Sequence, residues 1–474
     1  MLKKTKIVCT LGPASKEAAV MEEMLRAGMN VARLNFSHGT HEEHRKTIET
    51  FRMVRDRLEI PAAVLLDTKG PEIRLKDFKQ KKEVLETGDT FILTTQDCEG
   101  TKERAGISYQ ELPAQVKPGT SILIDDGRIR LNVKQVQKED IICTVTAGGT
   151  VSNRKGVNIP NQSLDLEYIS EADYKDILFG IEMDVDYIAA SFVRNGNDVR
   201  ALRRLLDENG GEQIKIISKI ENMEGILNFD EILELSDGIM VARGDMGVEV
   251  DFEKLPGIQK KFIKGCCKAG KPVITATQML ESMTGNSTPT RAEITDVANA
   301  VFDGTSAVML SGESAAGAYP VETVRTMAKI VRQAEQDAEE VNQYKFLEVE
   351  ADHQDVSNAM GHAACTTARD IHASAIIAVT TSGYTAEKMA KYKPEEPIIA
   401  ATPKEKTYHQ QALTRGVYPV LTQRCNDWNV LMEEAVSGAE RMGFVKKGDL
   451  IVLSAGMPLQ VSGTTNLIRV KTVE

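Results

Sequence analysis

Eight short apolar runs, each followed by a helix-like stretch, constrain the fold of this sequence more than any other feature. Eight alternating strands and helices predict a (β/α)₈ barrel, whose active site lies at the C-terminal ends of the strands. Polar residues at those ends are therefore expected to converge on one cleft. The runs are Lys6–Cys9, Met29–Leu34, Ala62–Leu66, Tyr187–Ala190, Ile214–Ser218, Gly238–Ala242, Pro272–Ala276 and Ala307–Leu310.

The chain, at 474 residues, is too long for one compact core. The barrel pattern covers 1–70 and resumes over 169–345. Between these parts, 71–168 shows short alternating segments broken by Gly, Asp and Pro, which is typical of a small β domain. This insertion follows the catalytic end of the third strand, so we expect a small β-barrel that acts as a lid over the cleft. A second strand–helix series over 346–474 predicts a doubly wound α/β domain.

Composition excludes several classes of protein. The formal net charge of −11 argues against a nucleic-acid-binding or anionic-membrane surface. No run approaches the ~20 apolar residues that span a bilayer, and the N-terminus leads into the first strand without a signal-peptide pattern. The seven cysteines are scattered without metal-ligand spacing, which fits a reducing compartment. We therefore expect a cytoplasmic protein.

The strongest chemical signal follows the fifth and sixth strands. Lys219 and Glu221 are two residues apart, so in a strand their side chains share one face. Asp245 follows the next strand between two glycines, in a segment where the backbone can approach a ligand closely. Glu221 and Asp245 can together hold a hard divalent cation such as Mg²⁺. The alternative is a plain ion pair between Lys219 and Glu221.

The ends of the second, third and seventh strands suggest anion and cation binding. Arg33 offers bidentate donors for a phosphate. The ends of the second and third strands also offer mostly neutral oxygens and one carboxylate, a set that suits a monovalent cation. Ser37, one of these residues, has the alternative role of capping the next helix. Thr277 is either the N-cap of a helix or a hydroxyl that binds a carboxylate or relays a proton. The oxygens for the monovalent cation come from Asn35, Ser37, Asp67 and the Thr68 carbonyl.

These motifs, in their order and spacing, resemble those of the pyruvate kinase family over essentially the whole chain. The resemblance implies that Glu221 and Asp245 bind Mg²⁺ or Mn²⁺. It also implies that Asn35, Ser37, Asp67 and the Thr68 carbonyl bind K⁺. Relatives with a glutamate at the position of Glu72 generally need K⁺, so K⁺ dependence is expected. The matching segments are Thr5–Thr10, Asn30–Gly39, Asp67–Arg74, Ile217–Asn222, Val241–Asp245, Ala276–Leu280 and Met309–Glu313.

The resemblance also implies roles for individual residues. Phosphoenolpyruvate would bind Arg33, Thr277 and the backbone amides of Gly244 and Asp245. Lys219 would stabilise the phosphoryl group in transfer, and Thr277, or a water that it orders, is the candidate proton donor to the enolate. Two residues on the lid side, Arg74 and Lys155, would reach the phosphates of ADP.

In the last domain, a hydroxyl-rich turn joins a strand to a helix. By its residues alone it is as consistent with an ordinary strand–helix turn as with a phosphate site, and the resemblance favours a site for a phosphorylated effector, faced by the loop 456–466. Tyr384 stands where some relatives carry arginine, so the effector's identity stays open. The family further implies a homotetramer, and we expect no additional phosphotransferase-like domain. The predicted effector residues are Thr380, Thr381, Ser382, Gly383 and Thr385.

The predicted function is thus transfer of the phosphoryl group of phosphoenolpyruvate to ADP, the last step of glycolysis, under allosteric control. Two alternatives remain from the residues. One is a barrel lyase or aldolase in which Lys219 forms a Schiff base, which Glu221 disfavours because it would keep the amine charged. The other is a non-catalytic phosphosugar sensor, against which none of the proposed catalytic positions is substituted.

Overall fold

The structure is a computed structural model that describes residues 3–160, 162, 164–341, 355–425, 427–458 and 463–474. The predicted domain boundary at 345/346 lies outside the described residues. The strands, in chain order, are β1 Lys6–Thr10, β2 Val31–Asn35, β3 Ala63–Asp67, β4 Ile73–Arg74, β5 Lys82–Leu85, β6 Thr90–Thr94, β7 Arg104–Gly106, β8 Ser121–Ile124, β9 Ile129–Gln137, β10 Asp140–Ala147, β11 Gly149–Ser152, β12 Gly156–Asn158, β13 Tyr187–Ala190, β14 Lys215–Ile220, β15 Gly238–Ala242, β16 Val273–Ala276, β17 Ala307–Leu310, β18 Ala375–Val379, β19 Ile398–Thr402, β20 Val417–Leu421, β21 Leu450–Gly456 and β22 Thr465–Thr472.

Helices alternate with the strands outside the inserted domain. They are α1 Ala18–Ala27, α2 His41–Arg57, α3 Leu112–Gln115, α4 Glu171–Glu182, α5 Gly196–Glu208, α6 Met223–Leu227, α7 Phe229–Leu235, α8 Arg243–Glu249, α9 Leu255–Ala269, α10 Arg291–Asp303, α11 Gly312–Ala315, α12 Pro320–Glu340, α13 Val356–Asp370, α14 Tyr384–Ala390, α15 Glu405–Gln410 and α16 Trp428–Arg441.

The eight predicted runs form one closed parallel barrel, with the strand order β1-β17-β16-β15-β14-β13-β3-β2. The prediction of a (β/α)₈ barrel is therefore confirmed. Alternate residues of each strand point inward, and they fill the barrel interior as a packed apolar cluster that includes Val8, Tyr187, Ile217 and Met240. Leu413, from the C-terminal part of the chain, belongs to the same cluster and closes the barrel at the N-terminal ends of its strands.

Local sequence signals explain where several barrel helices begin and end. Helix α1 ends at Gly28, whose φ of +125° places it in a conformation that side chains rarely adopt. The side chain of Ser170 caps α4 by accepting a hydrogen bond from the backbone N–H of Asp173. Helix α2 is capped by Thr40 in a capping box with Glu43, so Ser37 is not its cap.

The insertion between β3 and α4 forms a β domain with its own core. Its main sheet has the order β4-β12-β8-β9-β10-β6-β7. Beyond the ends of the edge strands, a bridge between Leu75 and Ile107 joins β4 to β7, so the sheet closes on itself. Phe91, Leu131 and Cys143 are among the fully or almost fully buried residues of this core. The predicted small β domain is present.

The C-terminal domain is a five-stranded sheet of order β20-β19-β18-β21-β22. Four strands are parallel, and β22 pairs antiparallel with β21. Strand order reverses beside β18, the arrangement of a doubly wound sheet with an antiparallel edge strand. Within the described part of the chain, no helix is both long and apolar enough to cross a bilayer.

Candidate active site

A buried network of charges occupies the C-terminal end of the barrel. Asp67, the last residue of β3, is completely buried. Its Oδ2 accepts a hydrogen bond from Nε of Arg33 at 2.6 Å, and its Oδ1 accepts one from Nζ of Lys219 at 2.9 Å. Lys219 Nζ also lies 3.1 Å from Oε1 of Glu221. Residues from three different strands thus meet as predicted, in a chain of alternating charges.

Burial favours the neutral form of each of these groups, whereas its oppositely charged partners favour the charged form. Burial favours the neutral form of Asp67, but Arg33 and Lys219 outweigh it and hold the pKa of that carboxyl below its ordinary value. Burial also opposes the charge of Lys219, yet Asp67 and Glu221 raise the pKa of its ammonium above the ordinary value. Lys219 is therefore a persistent cation, which makes it a poor nucleophile and disfavours the Schiff-base alternative.

Ser191 completes the network, and sequence reasoning assigned it no role. Its hydroxyl accepts a hydrogen bond from Lys219 Nζ at 2.7 Å and donates to the Thr68 carbonyl at 2.6 Å. The next residue, Phe192, has a φ of +53°, and its backbone N–H donates to Oε2 of Glu221 at 2.6 Å. The signal available in the sequence was position, because Ser191 directly follows the fourth barrel strand.

Glu221 and Asp245 provide the carboxylates predicted to hold a divalent cation. Glu221 is 1% exposed, and burial raises its pKa to about 8, with Lys219 opposing this shift and Asp245 adding to it. Asp245 is therefore close enough to act on Glu221 electrostatically. Among the described residues, no group of three or more His, Cys, Asp or Glu side chains could hold a metal. One or two carboxylates suit Mg²⁺, which takes its remaining ligands from waters and substrate phosphates.

Thr277 lies in a strained conformation beside helix α8. Its φ is +64°, which is rare for a β-branched residue. Its hydroxyl accepts a hydrogen bond from the backbone N–H of Gly244 at 2.8 Å and donates to the Ala276 carbonyl at 2.7 Å. Thr277 is thus not a helix N-cap, and Asp245, which follows β15 between two glycines, lies in the first turn of α8. The structure does bring Thr277 and Gly244 together.

The four residues predicted for a monovalent cation come from two neighbouring strands and their extensions. Asn35 pairs in register with Asp67. The Asn35 Oδ1 accepts a hydrogen bond from the backbone N–H of Ser37 at 3.2 Å. Thr68 directs its carbonyl to Ser191, and the carboxylate of Asp67 is shared with Arg33 and Lys219. Asn35 and Asp67 thus lie side by side on adjacent strands, and the monovalent-cation site itself stays a prediction.

A cleft of about 720 Å³ separates the β domain from the barrel end. Arg74 and Lys155 line it from the lid side, and Asp245 lines it from the barrel side. In this structure both lid cations are paired with acids: Arg74 Nη2 lies 2.5 Å from Oε2 of Glu72, and Lys155 Nζ lies 2.7 Å from Oδ1 of Asp125. Asp125 was not foreseen, because it lies about thirty residues from Lys155 in the sequence and meets it only through the β sheet.

The hydroxyl-rich turn of the C-terminal domain lines a second, smaller pocket. Thr380, Thr381, Ser382 and Thr385 lie on one side, and Thr465 lies on the other. Oγ1 of Thr380 accepts a hydrogen bond from the backbone N–H of Gly383 at 3.0 Å, and the hydroxyls of Thr385 and Thr465 are 2.8 Å apart. Residues 459–462 of the predicted facing loop lie outside the described residues.

A closed (β/α)₈ barrel with buried cations and carboxylates at its C-terminal end, under an inserted β domain, defines the chain as a barrel enzyme with an anion-binding cleft. The comparison with known families is more specific. Residues 2–324 match the family "Pyruvate kinase, barrel domain", and residues 358–471 match "Pyruvate kinase, alpha/beta domain".

Curated relatives match over the full chain. The pyruvate kinase of Clostridium acetobutylicum is 48% identical over 476 residues and is covered completely, as is this chain. The pyruvate kinases of Staphylococcus haemolyticus and Staphylococcus aureus are 49% and 48% identical, and the match covers all of this chain and 81% of each relative. The chain belongs to the pyruvate kinase family, which confirms the resemblance seen in its motifs and makes it a glycolytic kinase.

Proposed function

We propose that the chain transfers the phosphoryl group of phosphoenolpyruvate to ADP at the barrel end, with Lys219 as the residue that stabilises the group in transfer. The observation that carries this proposal is the position of Lys219 Nζ, within 3.1 Å of both Asp67 and Glu221 and beside Arg33. Both substrates are anions that repel each other, so catalysis consists mainly of positioning and of fixed positive charge in a site that excludes water.

The proposed substrate site uses groups that the fold has already oriented. Arg33 is held by Asp67 and by the hydroxyl of Thr10, which accepts from Nη1 at 2.8 Å, so its guanidinium is fixed before a phosphate arrives. Backbone N–H groups at the start of α8, those of Gly244 and Asp245, are the proposed donors to the carboxylate of phosphoenolpyruvate, and the Gly244 N–H would exchange its present acceptor, the Thr277 hydroxyl, for that carboxylate. Thr277, held against Gly244, is the proposed proton donor to the enolate, directly or through a water.

Two cations complete the proposed site. Glu221 and Asp245 would hold Mg²⁺ or Mn²⁺, which supplies positive charge to the phosphoryl oxygens when bound. K⁺ would be held by Asn35, Ser37, Asp67 and the Thr68 carbonyl. It would add positive charge to that which Arg33 supplies to the phosphate. The residue types support these assignments, because Mg²⁺ takes one or two carboxylates, and mostly neutral oxygens with one carboxylate suit a monovalent cation.

The lid carries the proposed nucleotide contacts. Arg74 and Lys155 face the cleft from the β domain, and each would exchange its present carboxylate partner for ADP phosphate oxygens. Approach of the lid to the barrel would exclude water from the transferring group.

We further propose that the protein is a cytoplasmic homotetramer, and that a phosphorylated small molecule regulates it at the pocket lined by Thr380–Thr385. Light scattering tests the oligomeric state.

The decisive experiment measures ATP and pyruvate formation from phosphoenolpyruvate and ADP, with Mg²⁺ and K⁺ each present or omitted. The proposal expects turnover that needs Mg²⁺ and rises strongly with K⁺. Substitution Lys219→Met should abolish most of it, whereas Lys254→Met, at an exposed ion-paired lysine after α8, should not. Absence of ATP formation by the unaltered protein would refute the proposal. Borohydride trapping of pyruvate on Lys219 would instead support a lyase.

A further inference from the structure

The N-terminal end of the barrel is closed by a segment that the proposed reaction does not use. Leu413, of the C-terminal domain, is completely buried in the apolar cluster that also contains Ile217 of β14. Three residues earlier, the Gln410 carbonyl accepts a hydrogen bond from the hydroxyl of Tyr187 at 2.7 Å, and its Nε2 donates to the Gln213 carbonyl at 2.7 Å. The C-terminal domain therefore reaches into the barrel interior.

One ion pair connects this segment to the strand that carries Lys219. Lys215 is the first residue of β14, and its Nζ lies 2.6 Å from Oε1 of Glu387 on α14. The two side chains are only 20% and 24% exposed. Burial opposes the charge of Lys215, but Glu387 outweighs it and raises the pKa of the ammonium above its ordinary value. The pair therefore stays charged and resists separation.

The geometry of β14 links this pair to the catalytic end of the barrel. Side chains alternate along a strand, so Lys215, Ile217 and Lys219 point to the same side, which is the barrel interior. The two lysines are four residues apart, a distance of about 13 Å at ~3.3 Å per residue. Parallel pairing with β13 on one side and β15 on the other holds the strand in the closed barrel sheet. A shift of Lys215 along the strand would therefore displace Lys219 as well.

The other partner, Glu387, is connected to the hydroxyl-rich pocket of the C-terminal domain. Helix α14 starts directly after Gly383 of the pocket turn. A Cβ atom at Gly383 would lie 2.1 Å from Nε2 of Gln411, so turn and side chain are in close contact. The same Nε2 donates a hydrogen bond to Oε1 of Glu387 at 2.9 Å. Gln411 thus touches both the pocket turn and the ion pair.

We propose that Lys215 and Glu387 are positioning residues for the reaction: their ion pair fixes β14, and hence Lys219, relative to the turn at Thr380–Thr385. This inference rests on the role proposed above for Lys219. The arrangement gives a ligand of the C-terminal pocket a direct mechanical route to the catalytic lysine, through Gln411, Glu387 and the strand. Two sites joined by one rigid element are coupled whenever that element has two positions.

The test compares Glu387→Gln, Lys215→Met and the charge-swapped double variant Lys215→Glu with Glu387→Lys. The matched control is Lys406→Met, which removes another set of contacts between the two domains: the ion pairs of Lys406 with Asp184 at 2.7 Å and with Asp186 at 3.7 Å, and its hydrogen bonds to the backbone carbonyls of Asp184 and Val185. For each full-length protein, kcat and the KM for phosphoenolpyruvate are measured. Amide hydrogen exchange of residues 215–220 is measured without substrates.

Both single variants should lower kcat about fivefold or more, with little change in KM, and should speed exchange in 215–220. The swapped pair should restore kcat to within about twofold, and Lys406→Met should alter neither quantity. Unchanged kcat and exchange in Glu387→Gln would overturn the proposal, as would an equal effect of Lys406→Met. If the unaltered protein shows no phosphoryl transfer, the proposed function fails, and the exchange measurement still decides whether the ion pair fixes β14.

Discussion

Two buried lysines, one at each end of the barrel, show how the two ends differ. Lys219 at the C-terminal end is 8% exposed, and Lys6 at the N-terminal end is 3% exposed. Burial opposes both charges, but carboxylates raise the pKa of Lys219, whereas the pKa of Lys6 is lowered to about 7, with Lys3 adding to the effect of burial and Glu335 opposing it.

The partners of the two lysines explain this difference. Lys6 Nζ donates to the Val417 carbonyl at 2.6 Å and lies 4.7 Å from the centre of the Tyr418 ring, so it is partnered by neutral groups of the C-terminal domain. Lys219 is paired with the carboxylates of Asp67 and Glu221, at the end of the barrel below the cleft. The lysine at the C-terminal end of the barrel therefore stays charged beside carboxylates, whereas the lysine at the N-terminal end is covered by neutral groups of the C-terminal domain.

The largest expected effect sharpens the comparison at the catalytic end. Lys219→Met should lower kcat by about 10²–10³-fold, because it removes a fixed cation from the transferring group. Mg²⁺ affinity, measured by titration with Mn²⁺, and substrate binding should change far less. Steady-state assays of pyruvate formation provide the measurement, and unchanged turnover would end the role proposed for this residue.

At the opposite end, Leu413→Ala should destabilise the protein by about 2–5 kcal/mol, because it leaves a cavity in the barrel interior. The melting temperature should fall while residual activity at low temperature persists. Leu421→Ala, at a leucine of the same domain that is 45% exposed, is the matched control and should have little effect. Equal melting temperatures for the two variants would show that Leu413 does not support the barrel.

A smaller effect is expected from Glu72→Lys beside the cleft. The new ammonium would place a fixed positive charge near the proposed K⁺ site, so activation by K⁺ should fall by about tenfold, equivalent to about 1.4 kcal/mol. Glu86→Lys makes the same charge change at an exposed position of the lid and serves as control. Activity titrated with K⁺ measures the outcome, and full dependence in Glu72→Lys would argue against the proposed K⁺ position.

The last prediction concerns Lys6 and the pH dependence of stability, not activity. Because its pKa is lowered on folding, the unfolded chain binds one more proton than the native state between about pH 7 and 10.5. This residue therefore makes stability rise with pH in that window, by up to about 1.4 kcal/mol per pH unit. Lys6→Met should flatten the rise of melting temperature from pH 7 to 10, relative to exposed Lys46→Met. If the melting temperatures of the two variants rose equally with pH, the role given to Lys6 would be wrong.

Much of the candidate site could be predicted because it lies at strand ends that the sequence marks clearly. Arg33, Asp67 and Lys219 each sit at or near the end of an apolar run, and barrel topology alone brings such positions together. The role of Ser191 was missed, because a serine after a strand has no distinctive neighbours in sequence. Thr277 was expected as a possible helix cap, since nothing in its sequence context indicates a positive φ.

The sequence by itself determined the (β/α)₈ pattern, the inserted β domain and the residues at the barrel rim, because periodicity, turn residues and strand ends are local signals. Only the tertiary structure decided which charges are partners. Segments far apart in the chain are joined by the ion pairs of Lys155 with Asp125 and of Lys215 with Glu387. They are also joined by the packing of Leu413 at the N-terminal end of the barrel. Such contacts depend on how whole domains dock, and an electrostatic or packing energy exists only once that docking fixes the distance between the groups.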